Sequence, residues 1–180
     1  MKHAAVLGSV APGFDQPLDV LLACHGSIEK QCATLQKLLA HLPQHGSDAQ
    51  AQQAALAILN YFDTAAGHHH DDEERNLFPL LERAGQGEWC EVVELLTGEH
   101  DELAQLWRAL RPPLRAVAQG EVVVLNTAHT ERFIALNRSH VAFENERVLP
   151  LAREILSAAD LQSLGHAMAT RRGVDYPSKA

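Results

Sequence analysis

Along almost the whole of this 180-residue chain the apolar residues recur every three or four positions, and few segments alternate with period two. That spacing gathers apolar side chains on one face of an α-helix, whereas a strand would split them between two faces. Four long stripes stand out. The first, from Leu18 and Leu21 through Ile28, Cys32 and Leu35 to Leu42, predicts a helix with Asp15 as N-cap and Pro17 in its first turn, ended by Pro43 and Gly46. The second runs from Ser47 or Asp48 through Ile58, Phe62 and Leu77, with Pro79 expected to kink or end it and Gly85-Gln86-Gly87 as the turn. The third starts near Glu88 and carries Val92, Leu96, Leu103, Trp107, Leu110 and Leu114, with Pro112-Pro113 bending its end. The fourth follows Gly120, from Val122 through Leu125, His129, Phe133 and Val148 to Ile155, and a last helix from Ser157 or Asp160 to about Thr170 completes the series. Long helices with short turns predict an all-α, up-down-up-down four-helix bundle with a short extra C-terminal helix. The expected organisation is an N-terminal extension over 1–14, the bundle over 15–156, and a C-terminal helix and tail over 157–180. A low aromatic share of 5% agrees, since Leu and Ala suit helix–helix seams.

Charge and cysteine content narrow the function classes. Fifteen Lys and Arg against 23 Asp and Glu leave a formal charge of -8, which repels nucleic acid and anionic membrane surfaces. No stretch approaches the roughly 18–20 apolar residues that span a bilayer, and the apolar opening Met1–Leu7, broken at Gly8, is too short for a signal peptide. Cys24, Cys32 and Cys90 form no CxxC. Cys24 and Cys32 sit eight apart on one predicted helix, roughly 12 Å along its axis, too far to bridge. They read as reduced thiols, so the expected compartment is the cytoplasm.

The stripes are interrupted where a core should be apolar. The first helix carries His25 on its inner face, the second His69 and Glu73, the third His100, the fourth His140 and Glu144. An ionised carboxylate buried without a partner costs several kcal/mol or more, and no Lys or Arg shares these stripes. Metal ions are the economical explanation. Residues i and i+4 leave one helix face roughly 6 Å apart, so His69/Glu73 and His140/Glu144 each present an imidazole and a carboxylate to one interior point. His25 and His100 on facing helices complete a cage of four nitrogens and two carboxylates.

Spacing alone is weak evidence, because with 11 histidines chance predicts about one His-x3-Glu pair and the chain has four. An internal repeat strengthens it. His69-x3-Glu73-x3-Leu77-Phe78-Pro79-Leu80 matches His140-x3-Glu144-x3-Val148-Leu149-Pro150-Leu151, and each copy follows a helix with a lone central histidine. Two helix pairs related by a pseudo-twofold axis would face two half-sites toward each other.

These segments, with HHHDDEERNLFP over 68–79 and GEHDEL over 98–103, resemble the hemerythrin-like HHE cation-binding family over roughly residues 15–156. The resemblance implies a bundle around a non-haem di-iron centre, with metal ligands His25, His69, Glu73, His100, His140 and Glu144, and Glu73 and Glu144 bridging. It implies two iron ions per chain, oxo- or hydroxo-bridged, for which Zn or Mn could substitute. Oxygen-carrying hemerythrins have a fifth histidine one turn from the third-helix ligand; here the flanking positions are Leu96 and Ala104. Both metals would then keep an open position, a pattern nearer the iron–sulfur-centre repair branch than the oxygen carriers. That branch usually carries cysteines ahead of the bundle, and residues 1–14 carry none.

The function so implied is a non-haem di-iron protein that binds or reacts with O2, NO or peroxide, in redox or nitrosative stress response or in sensing. The alternative is a non-catalytic iron-binding, iron-donating or O2/NO-sensing module acting through a partner. The expected partner is a small diatomic or peroxide ligand, with no nucleic acid and no membrane, and a partner protein or homodimer left open. No general base or nucleophile stands out beyond the metal residues, and whether the chain turns over substrate is open. The remaining residues get plainer readings. His68 and His70 point about 100° away from His69, as surface residues or supports, although His70/Glu74 is a rival register. Glu29 reads as a solvated acid and His129 as a core histidine near one bundle end. In the acidic run Asp71–Glu74 only Glu73 is expected to turn inward. AMATRRG over 167–173 reads as a surface or oligomer contact.

Overall fold

The computed structural model describes residues 11–85 and 89–176. The predicted turn at Gln86-Gly87, the start at Glu88, residues 1–10 of the extension and the last four residues of the tail lie outside the described residues. Five helical rods make up the rest: α1 (Pro17–His45), α2 (residues 49–84), α3 (Cys90–Ala118), α4 (residues 127–155) and α5 (Ala158–Arg171). α1 and α3 each pack against both α2 and α4, which closes a four-helix bundle, and α5 lies against α1 and α2. Among the described residues there is no strand.

The ends follow local chemistry. Asp48 caps α2 by accepting from the Ala51 amide at 2.8 Å, and Asn126 caps α4 through the His129 amide at 3.0 Å. Ser157 and Asp160 form a reciprocal capping box at the start of α5. Asp15 does not cap α1: Gln16 holds that position without a side-chain bond, and Pro17 begins the helix, where a missing N–H costs nothing. Pro43 does not end α1, which reaches His45 before Gly46 turns with φ 62°. The fourth helix does not start at Val122. At Gly120, φ 80°, the chain leaves α3 through a bond from the Glu121 amide to the Ala116 carbonyl, and Asn126 starts the next helix. Val122 and Val124 are left outside any helix and 96% and 91% exposed, while Leu125 tucks into the core.

Neither Pro79 nor Pro150 ends its rod. Each follows a π-helical turn, Glu73–Leu77 in α2 and Glu144–Val148 in α4. There the Phe78 amide bonds the Glu73 carbonyl and the Leu149 amide bonds the Glu144 carbonyl, five residues back. The wider turn accommodates a ring that can neither donate nor fit an ordinary helical turn. α2 has a further π-turn, Tyr61–Ala65, with no counterpart in α4.

The core forms two apolar clusters. One gathers Ile28, Cys32, Leu35, Ile58, Phe62, Leu103 and Phe133, the other Leu18, Leu21, Leu77, Leu96, Val148 and Met168. Every bundle helix passes from one cluster to the other through the residues singled out above, so His and Glu fill the slab between them.

α5 seats closely on the segment before α1. A Cβ placed on buried Gly165 would fall 2.0 Å from the Phe14 carbonyl oxygen. Gly165→Ala is therefore expected to destabilise the fold by roughly 1–3 kcal/mol, although Ala is the better helix former. Urea denaturation checks this, and an unchanged or higher midpoint would mean that α5 does not dock here.

Candidate metal centre

His25, His69, Glu73, His100, His140 and Glu144 are all buried. His25 projects from α1, His69 and Glu73 from α2, His100 from α3, and His140 and Glu144 from α4. Ligand atoms of His25, His69, Glu73 and Glu144 lie within 4.8 Å of one another, and so do those of Glu73, His100, His140 and Glu144. The two groups share both carboxylates, so the cluster has two histidine-bearing halves joined by Glu73 and Glu144. Nε2 of His25 is 3.1 Å from Glu144 and 3.7 Å from Glu73, and Nε2 of His100 is 3.5 Å from Glu73. The i,i+4 pairs close at 3.3 Å for His69–Glu73 and 3.4 Å for His140–Glu144.

Three histidines are held from behind. Asn145 Oδ1 lies 2.6 Å from Nδ1 of His25, Glu74 Oε1 2.7 Å from Nδ1 of His100, and Glu99 Oε2 2.7 Å from Nδ1 of His140. An ionised carboxylate only accepts, so His100 and His140 donate from Nδ1 and turn Nε2 inward. Their Nε2 atoms then sit 2.9 Å apart, where two lone pairs repel unless a proton or a metal cation lies between or beside them. Nε2 of His25, both nitrogens of His69 and all four oxygens of Glu73 and Glu144 are buried without a hydrogen-bond partner. Orphaned polar atoms of that number are costly, and they are the atoms that metal ions would satisfy.

Protons take that role in the metal-free protein. Burial alone would lower the His25 pKa, but the Glu144 and Glu73 carboxylates outweigh it and raise it to about 10. Burial opposes charging of His140 too, and Glu144 prevails, raising it to about 9. Burial, then the charge of Glu144, pushes Glu73 up to about 7. Burial and the charge on His25 hold His69 well below the usual histidine range. Burial would raise Glu144, but the His140 and His25 rings keep it well below the usual carboxylate range.

A pH dependence follows. Histidines with raised folded pKa values contribute stability that is complete below about pH 6.5 and lost as pH rises through 9 and 10. Protonation of Glu73 favours folding in the same sense, and that contribution is lost between about 4.5 and 7. The metal-free protein should therefore weaken steadily from pH 6.5 to 10, and metal should flatten the slope by taking the protons' place. Denaturation midpoints with chelator and with metal test this; a chelated protein that gains stability with pH would contradict it.

The structure corrects several neighbours. Of the two registers in the histidine run, His69 and Glu73 face the slab, while Glu74 is exposed and bonds His100. Asp72 does not stay out: it is 0% exposed and held by Arg171, the last residue of α5, and, at 2.7 Å, by Arg172, which caps that helix. The AMATRRG segment is thus an internal clasp, with Arg171 also donating to Asn76 at 2.8 Å. His129 is exposed in the first turn of α4, and Thr130 takes the buried position instead. Glu29 is exposed and lies 3.9 Å from Arg138. Glu74, Glu99 and Asn145 were missed as supports, yet each adjoins a slab residue in sequence. A neighbour one step round a helix points toward the adjacent helix, which is the signal that could have found them. The pseudo-twofold counterpart of Glu99 is Cys24, and His69 has no equivalent support. All three cysteines are free, and no helix among the described residues is long and apolar enough to cross a membrane.

Residues 16–152 match the family model described as the hemerythrin HHE cation binding domain. An uncharacterized protein of Haemophilus influenzae is 33% identical over 161 residues, which cover 89% of this chain and 92% of that protein. Four helices, a two-halved His/Glu metal-binding cluster and a match across most of the chain lead to one conclusion: this chain belongs to the hemerythrin HHE cation-binding family.

Proposed function

We propose that the chain is a non-haem di-iron protein of the four-histidine, two-glutamate type, and that it binds or reacts with O2, NO or peroxide at this centre. The observation that carries the reading is the sharing of Glu73 and Glu144 between two histidine-bearing halves. His25 and His69 would hold one iron, His100 and His140 the other, with the two carboxylates between them. With two nitrogens and two carboxylate oxygens each, the metals would keep positions for a shared oxo or hydroxo group and an external ligand. Bound iron would supply electrons and a coordination position for a small diatomic or peroxide ligand.

The chain's own residues prepare that chemistry. Glu74, Glu99 and Asn145 fix the rings of His100, His140 and His25, so that little is reorganised when metal enters. The apolar clusters on either side exclude water and keep the donors neutral or paired. Free thiols and a fold held without disulfides suit a reducing compartment. The reading is tested by a metal count and by aerobic and anaerobic absorption spectra of iron-loaded protein. Two irons per chain with charge-transfer bands that change with O2 or NO support it; a mononuclear or spectroscopically silent site rejects it. Product formation from peroxide or NO would mark an enzyme, and reversible binding without product a sensing or storage module.

A further inference from the structure

The bundle has four seams where neighbouring helices meet, and three are closed around the His/Glu slab. α5 covers the α1/α2 seam, with Arg171 and Arg172 on Asp72. Across the α3/α4 seam Glu99 bonds His140 and Arg132 grips both oxygens of Glu102 at 2.6 and 2.8 Å. Across the α4/α1 seam Arg138 donates to Gln36 at 3.0 Å and faces Glu29 at 3.9 Å.

The α2/α3 seam differs. It is tied on one side of the opening by Glu74 on His100, and on the other by Asp63, which accepts from Trp107 at 3.1 Å and from Arg111 at 2.9 Å. Between these ties stand Gly67 and Ala104, both exposed. Behind them is a cavity of about 160 Å³ walled by Phe62, Leu103, Trp107 and Phe133. His70 lines its inner end, stacked on the His100 ring at 3.9 Å and 6.3 Å from the His140 ring.

The internal repeat supplies a control for this comparison. Gly67 lies two residues before His69, and its counterpart two before His140 is Arg138. Ala104 lies four after His100, and its counterpart four after His25 is Glu29. One half therefore has two of the smallest side chains where the other has an Arg–Glu pair. The depression nearest Arg138, lined by Gln36, Leu39 and Ile134, lies about three to four turns along α1 from His25 and includes no residue of the cluster.

We propose that the α2/α3 seam is the entry port of the external ligand, and that it serves the half of the centre formed by His100 and His140. The port rests on the reading that the centre takes a small ligand. Its walls select the class. A passage that is aromatic and aliphatic except for His70 and Asn137 offers an ion little in place of its hydration shell, and a net charge of -8 repels small anions. The ligand is a neutral molecule of two or three heavy atoms, passing beside His70. His25 and His69 lie behind α5 and the Arg138–Glu29 pair, so their half retains its metal without taking ligand directly.

The test follows NO binding to ferrous-iron-loaded protein by stopped-flow absorption, with iron counted in each sample. Ala104→Phe and, separately, Gly67→Leu narrow the mouth. Ala104 is exposed, and a Cβ at Gly67 meets nothing within 4 Å, so either fold should survive. Each variant is expected to keep two irons and the wild-type final spectrum while binding NO at least about tenfold more slowly. Glu29→Ala with Arg138→Ala, which unties the opposite seam, is expected to leave the rate unchanged. Wild-type rates in both narrowed variants, or acceleration in the double variant, would overturn the port while leaving the small-ligand reading intact. Iron-loaded wild-type protein that gives no spectral change with NO would overturn the small-ligand reading, and the port with it.

Discussion

Glu144→Ala is expected to lower iron content from two per chain to less than one, while His140→Ala leaves about one. The difference follows from where the atoms sit. Glu144 belongs to both halves of the cluster, whereas His140 belongs to one. Removing Glu144 takes an anionic donor from both halves of the cluster and leaves His25 and His140 without the carboxylate that lies 3.1 and 3.4 Å from them. The half made by His25, His69 and Glu73 survives the loss of His140. Neutralising supports should do less: Glu99→Gln or Glu74→Gln is expected to weaken metal binding by about 10–100-fold without lowering the saturated count. Metal analysis after dialysis, with titration against a chelator, separates these outcomes. Two irons retained in Glu144→Ala would reject the bridging role, and equal losses in Glu144→Ala and His140→Ala would reject the division into halves.

Asp72→Ala is expected to destabilise the protein by roughly 2–4 kcal/mol and to release α5 from the bundle. Breaking a buried ion pair from one side costs about 3–5 kcal/mol; the lower figure allows for the partial exposure of Arg171 and Arg172, at 15% and 20%. The loss is larger than for a surface pair because two guanidiniums, already placed against α1 and α2, would lose the one buried anion they share. Asp72 lies between His69 and Glu73, so α5 also stiffens the turn that presents both. Arg171→Ala with Arg172→Ala should reproduce the release of α5 with a smaller cost, since Asp72 can then reach water. Denaturant midpoints and hydrogen exchange across 158–171 measure both effects. Full protection of α5 in Asp72→Ala would show that its packing through Met168 and Gly165 suffices to hold the helix.

The helices were legible because burial repeats every three or four residues, and a polar residue on such a stripe is conspicuous. The six His and Glu positions could be read for that reason: each replaces an apolar residue at a position facing inward. Three of the misreadings share one cause. Asp72, Glu74 and Glu99 stand one step off the stripe, and their surroundings are supplied by another helix. Asp72 looked like part of a solvated acidic run because the arginines that bury it lie about a hundred positions away. His129 kept the period of its helix but fell in the first turn, where the neighbours needed to cover it have ended. Pro79 reads as a kink or a stop because a proline cannot continue an ordinary helical turn; the rod continues, and the π-turn that accommodates the ring depends on backbone geometry that composition does not reveal.

By itself, then, the sequence determined an all-α bundle, the doubled His-x3-Glu-x5-Pro segment, and a polar slab with donors suited to metal, because these depend on the period of one helix and on the cost of burying charge. Tertiary structure decided which residues hold those histidines in place, which seam α5 and the arginines close, and which seam Gly67 and Ala104 leave open. Those are properties of two helices meeting, and they depend on rotation and register between rods that no single stripe encodes.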